Sequence, residues 1–222
     1  TTHIVGRAAR DASLEVKRQL ADVAAGMLEA NPTDLEFTNG TVGVVGAPGS
    51  RVSLAEVAAA GTWTVGPIAA TGSYTTPPVE FDPGCANGLL FPAMPTLTYH
   101  AHMAVVEVDP VTGEVTVQRY VVVQDVGRVI NPTGVRGQIQ GGVAQGIGHT
   151  LYESLRIKDC RYLERTLETY RLPLAVDIPT VEIITLEHPD SEGPHGAKGV
   201  GEPPISLVSA VVANAVSDAI GS

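Results

Sequence analysis

Two cysteines in 222 residues, Cys85 and Cys160, stand far apart without a CxxC partner, so by themselves they cannot build a zinc or iron–sulfur site. Both are expected as buried free thiols. Positive charge is scarce as well. Fourteen Lys and Arg against 24 Asp and Glu leave a net charge of -10, which argues against nucleic acid or an anionic membrane surface as the main partner. No apolar run approaches the roughly 20 residues of a membrane helix, since the run from Tyr120 to Val123 ends at Gln124 and Asp125. The first residues show no basic-then-apolar leader, so a cytoplasmic location is expected. HExxH, Walker and GxSxG patterns are missing. His100 and His102 would share one face of a strand, yet no third metal ligand is evident.

The composition, 44% hydrophobic, suits one large or two small domains with a real core. Apolar or small positions recur at three and four from Ala9 to Met27, predicting an amphipathic helix that Asn31-Pro32 ends. "LEFTNGTVGVV" reads as a hairpin turning at Asn39-Gly40. A capping box between Ser53 and Glu56 opens a short helix that is expected to stop at Gly61. Residues 61–95, rich in Gly, Thr and Pro, read as an extended loop or a set of short strands, the kind of segment that serves function or packs on another chain. Strands follow from about Tyr99 to Val108 and Val115 to Gln124, the second apolar enough for a sheet buried on both faces, and another near 180–188. Without a regular strand-helix beat, the fold class expected is α+β.

Two places carry candidate chemistry. In "INPTGVRGQIQGGVAQGIGHTLYESL", Val135, Ile139, Val143, Ile147 and Leu151 recur at four and predict a helix despite six glycines. Each interior Gly costs about 0.5–1 kcal/mol relative to Ala, which either close helix packing or a ligand against the bare backbone must offset. Gln138, Gln140 and Gln145 offer amides to such a ligand. "GGVAQGIG" is a weak dinucleotide signal because it lies inside the helix pattern instead of opening one. The second place is "HGAKGVGEPP", where Glu202 sits between glycines and two prolines ahead of "PISLVSAVVANAVSDAIG", with Val208, Val212, Ala215 and Ala219 on one helical stripe. Glu202 could cap that helix, could act chemically, or could pair with Asp125, Asp190 or Glu192 in a hydrolase.

At these two places the chain resembles the large, molybdenum-binding subunit of the xanthine dehydrogenase and aldehyde oxidase family of molybdenum hydroxylases. "DVGRVINPTGVRGQIQGGVAQGIG" is similar to the family's segment joining a strand to its cofactor-contacting helix, "GAKGVGEPP" to its catalytic-glutamate loop, and "DPVTGEV" to the preceding hairpin. The resemblance runs from about Thr71 to Gly221 and is weaker earlier. It implies that residues 1–222 form the C-terminal portion of a molybdopterin-binding domain, with the family's base on Glu202 and its cofactor-binding glutamine on Gln138. Gly201 beside Glu202 would also face the cofactor, and "TTHIVGRAARDA" would set Thr1 and Thr2 at its phosphate, where a helix start favours an anion.

The implied cofactor is molybdopterin, in its cytosine dinucleotide form, with molybdenum that no side chain here ligates. Iron–sulfur clusters and FAD are expected on partner chains, together with a longer chain carrying the missing upstream half and its Gly-Gly-Phe-Gly motif. The implied reaction hydroxylates an aldehyde or N-heteroaromatic compound at an electron-poor carbon using water. A non-catalytic assembly subunit and an unrelated acidic α+β hydrolase are the alternatives.

Overall fold

A computed structural model describes residues 2–76 and 96–221. It divides into two compact units, the first ending at Thr76. In the first, helix α1 (Thr2–Leu28) begins a full turn and more before the expected Ala9. The exposed Ile4 and Val5 break the apolar stripe there, so periodicity misses the start. Strands β1 (Leu35–Thr38), β2 (Thr41–Val44) and β3 (Ala47–Ser53) form an antiparallel sheet in that order. Asn39 and Gly40 both take positive φ at the hairpin turn, as the sequence predicts. The Ser53–Glu56 capping box is present and opens α2 (Leu54–Thr64). This helix runs past Gly61, which is buried against Ile68 and Val23: a Cβ added there would fall 2.7 Å from Ile68 Cδ1. The glycine is a packing residue and not a stop. Val42 and Val57 pack with Ala24 from α1 in this unit's core.

The second unit, described from residue 96, is built on β4 (His100–Val108), β5 (Val115–Asp125) and a later third strand. β4 and β5 form an antiparallel hairpin whose turn is closed by Asp109 Oδ1, which accepts from the amides of Val111 and Thr112 at 2.7 and 3.2 Å. Helix α3 (Pro132–Ile147) follows, and a π-helical turn at Gly148–Tyr152 takes up Leu151, which the stripe had placed on the helix itself. After a two-stranded ribbon, β6 (Ile157–Lys158) and β7 (Arg161–Tyr162), β8 (Val181–Leu186) pairs parallel with β5, giving the order β4-β5-β8. Cys160, expected buried, is exposed at the ribbon's tip, because a two-residue turn holds Asp159 and Cys160 at positive φ and points both outward. Cys85 lies outside the described residues.

Helices α4 (Pro203–Ser206) and α5 (Val208–Ile220) finish the chain. The 18 residues from Pro203 to Ile220 meet the length and apolarity of a membrane span, contrary to the sequence reading; here the stretch breaks at Leu207, and Val208 and Val212 are fully buried in the core of this unit, while Ala219 is exposed. That core joins Tyr120 and Val122 of β5, Ile139, Val143 and Ile147 of α3, and Val208 and Val212 of α5. The sheet is therefore covered on one face. On the other, Met103, Val105, Ile184 and Leu186 are exposed, so the apolar run of β5 does not reflect two covered faces among the described residues.

Candidate cofactor and catalytic site

β5 ends at Asp125, and the chain turns at Gly127, whose φ is +63°. A Cβ there would lie 2.2 Å from the Gly196 carbonyl oxygen, so only glycine lets the two segments meet. Gly127 and Ala197 form an antiparallel bridge. Around it the Lys198 amide donates to the Val126 carbonyl at 3.0 Å and the Arg128 amide to the Gly196 carbonyl at 2.9 Å. The "HGAKGVGEPP" loop is thus laced to the segment leading into α3.

Asn131 caps α3, its Oδ1 accepting from the Gly134 amide at 2.9 Å, and Pro132 opens the helix where no N–H is required. Ile139, Val143 and Ile147 face inward with no exposure, while Gly134, Gly137, Gln138, Gly141 and Gln145 occupy the exposed side. The glycines divide in the same way. A Cβ on Gly142 would sit 2.6 Å from Pro204 Cβ, and one on Gly146 would sit 2.4 Å from Val208 Cβ. These two exist so that α4 and α5 can approach. At Gly137 and Gly141 an added Cβ would meet nothing within 4 Å.

The packing of α4 on α3 brings the two sequence motifs together: a Cβ on Gly201 would lie 3.6 Å from Gln138 Oε1. Glu202 is next in the chain, exposed, and occupies the N-cap position of α4 without making a side-chain cap hydrogen bond. The capping reading fails for a simple reason. An N-cap side chain serves the amides of N2 and N3, but Pro204 at N2 has none, and the Ile205 amide is taken by the Glu202 main-chain carbonyl at 3.2 Å. Val126, Arg128, Asn131, Gln138, Lys198 and Val200 line a cleft beside these residues. Thr2 is exposed on α1, and Thr1 lies outside the described residues.

Sequence reasoning gave Lys198 no role and weighed Asp125 only as a hydrolase partner. The structure commits Asp125 elsewhere: Lys198 Nζ donates to its Oδ2 at 2.6 Å, and its Oδ1 accepts from the amides of Gly127 and His188. A lysine among the glycines of "GAKGVG" was the available signal. Asp190 closes a turn, its Oδ1 accepting from the amides of Glu192 and Gly193 at 2.7 and 2.8 Å. His100 and His102 do share a face, with ring centroids 5.3 Å apart, but His102 Nδ1 is 3.0 Å from the Tyr120 hydroxyl and burial pushes its pKa down to about 4. Among the described residues no three His, Cys, Asp or Glu side chains group as metal ligands would.

Residues 1–179 match the family of the molybdopterin cofactor-binding domain. The chain belongs to that family. It is a partial large, molybdenum-binding subunit of the xanthine dehydrogenase and aldehyde oxidase type. The matched residues contain Gln138, and Glu202 lies beyond them. The large subunit of nicotine 6-hydroxylase from Paenarthrobacter nicotinovorans is 37% identical over 98% of this chain and 26% of its own length. Quinoline 2-oxidoreductase from Pseudomonas putida 86 superposes with a TM-score of 0.76 at 31% identity, over 93% of this chain and 25% of that one. Cu,Mo-CO dehydrogenase superposes with a TM-score of 0.80 at 26% identity, over 98% and 26%. This molybdopterin-domain chain thus spans about a quarter of the length of the relatives it matches.

Proposed function

We propose that this chain furnishes the base and part of the cofactor cradle of a molybdenum hydroxylase that converts an aldehyde or N-heteroaromatic compound to its hydroxylated product with water. The observation that carries the reading is the meeting of Gly201 with the Gln138 amide, which presents Glu202, free of any capping role, beside an exposed glycine face of α3.

The residues suit the cofactor. Open backbone at Gly137 and Gly141 admits a flat group close to α3, Gln138 can both donate and accept, and Arg128 and Asn131 in the adjoining cleft suit an anion. Thr1 and Thr2 would serve the phosphate, to whose oxygens threonine hydroxyls can donate. A metal brought by molybdopterin needs no side-chain ligand. When bound, the group supplies the metal and the two-electron redox chemistry.

Glu202 supplies the proton chemistry. The net change is R–H plus water to R–OH, two electrons and two protons. As the water-derived hydroxyl oxygen attacks the electron-poor carbon, a Glu202 carboxylate oxygen takes the hydroxyl proton, so positive charge does not accumulate on that oxygen, and the C–H bond breaks with its electron pair leaving the carbon as the two electrons the bound group would accept. The electrons leave to iron–sulfur clusters and FAD on partner chains, and a longer chain completes the molybdenum domain around the cytosine dinucleotide form of the cofactor. We place this assembly in the cytoplasm.

Glu202→Gln in the assembled enzyme tests the assignment. It keeps the volume and much of the hydrogen bonding but cannot take a proton. Reduction by substrate, followed by rapid mixing and normalised to molybdenum content, should slow by about 10²–10⁴. Reduction at close to the wild-type rate would remove Glu202 from the mechanism.

A further inference from the structure

The Asp125–Lys198 pair is buried, its side chains 4% and 10% exposed, and lies at the root of the loop that carries Glu202. Burial by itself would raise the Asp125 pKa. Hydrogen bonds from Lys198, Gly127 and His188, with the Lys198 charge, outweigh it and hold the carboxyl below its ordinary range, so Asp125 is a carboxylate at neutral pH. Such a pair adds little to stability, since replacing both partners with apolar side chains is often neutral or better. What it supplies here is geometry. From Lys198 only Gly199, Val200 and Gly201 lead to Glu202, and the two glycines would let an untethered segment point its carboxylate in many directions. Beyond Lys198, the Gly199 carbonyl is held by the Thr98 hydroxyl at 3.4 Å.

We propose that Asp125 is a positioning residue for Glu202: by gripping Lys198 at the end of β5 it fixes the start of the segment Gly199–Glu202 and hence the direction in which the carboxylate is presented. The proposal rests on the reading of Glu202 as the base.

Four forms of the assembled enzyme test it: wild type, Asp125→Asn, Glu202→Gln and the double variant. Asp125→Asn keeps a side-chain acceptor for the Gly127 and His188 amides and removes the charge that holds Lys198. Since a displacement of about 1 Å can cost on the order of 10² in rate, Asp125→Asn should slow reduction by about 10–100-fold. Molybdenum content and the substrate concentration for half-maximal rate should change less than about twofold. Amide hydrogen exchange at Gly199, Val200, Gly201 and Glu202 should quicken, and Asp125→Glu should restore part of the rate. The double variant should be no slower than Glu202→Gln alone, because a misdirected base and an absent one are the same loss. Wild-type reduction by Asp125→Asn, a loss that follows molybdenum content, or multiplication of the two single effects would each overturn the proposal. Glu202→Gln reduced at the wild-type rate would end the base reading and this role with it, while faster exchange in Asp125→Asn would still show that the pair tethers the loop. Should Asp125→Asn fail to accumulate, Asp125→Leu with Lys198→Met replaces the pair by apolar side chains; that protein should load cofactor and reduce slowly, and fast reduction would sink the idea.

Discussion

Helix α3 carries two sets of glycines that a sequence writes with one letter. Gly142 and Gly146 lie under Pro204 and Val208 at distances no real Cβ could share, whereas Gly137 and Gly141 face open space. The first pair is explained inside the chain, because bare backbone lets α4 and α5 seat on α3 and so delivers the Glu202 loop beside Gln138. The second pair receives no such return and costs the helix about 0.5–1 kcal/mol per residue relative to alanine. Its explanation has to come from something outside the described residues, and the proposed cofactor supplies one.

The sharpest way to break the comparison is Gly142→Ala with Gly146→Ala. Overpacking at each site should cost roughly 1–3 kcal/mol, read as a lower denaturation midpoint. An unchanged midpoint would mean that α4 and α5 shift freely, and the two sets of glycines would no longer differ. Gln138→Ala should come next. An amide between those exposed glycines that loses its bound partner forfeits about 1–3 kcal/mol, so molybdenum content should fall severalfold at unchanged circular dichroism. Unchanged content with unchanged activity would remove the contact. The smallest effect on the fold belongs to Gly137→Ala and Gly141→Ala, which should each raise the stability of cofactor-free protein by about 0.5–1 kcal/mol while lowering cofactor loading. A gain in stability with loading intact would show that no ligand uses that backbone.

Much of the local structure was legible because it depends on spacing within a few residues. The Ser53–Glu56 box, the Asn39-Gly40 turn and the inward stripe Ile139, Val143, Ile147 are patterns complete within one element. Boundaries were less so. Gly61 looked like a stop and proved to be a contact for Ile68, and Ile4 and Val5 hid the first turns of α1 by facing outward. Cys160 looked like a core thiol because residue type says nothing about which tip a short ribbon presents. The resemblance named Glu202, Gln138 and Gly201, but Lys198 and Asp125 are 73 residues apart in sequence, and the lysine among the glycines of "GAKGVG" does not name its partner.

By itself the sequence determined the period of each helix, the turns that punctuate the strands and the family to which the two motifs point, since all of these are written in short-range order. Only the tertiary structure decided that β8 joins β5 in parallel, that the glycines of α3 serve two different neighbours, and that Glu202 is left uncapped beside Gln138 with its loop rooted on Asp125. The physical reason is that packing distance and ion pairing depend on which surfaces meet after the chain has closed on itself, and one-dimensional spacing carries no record of that.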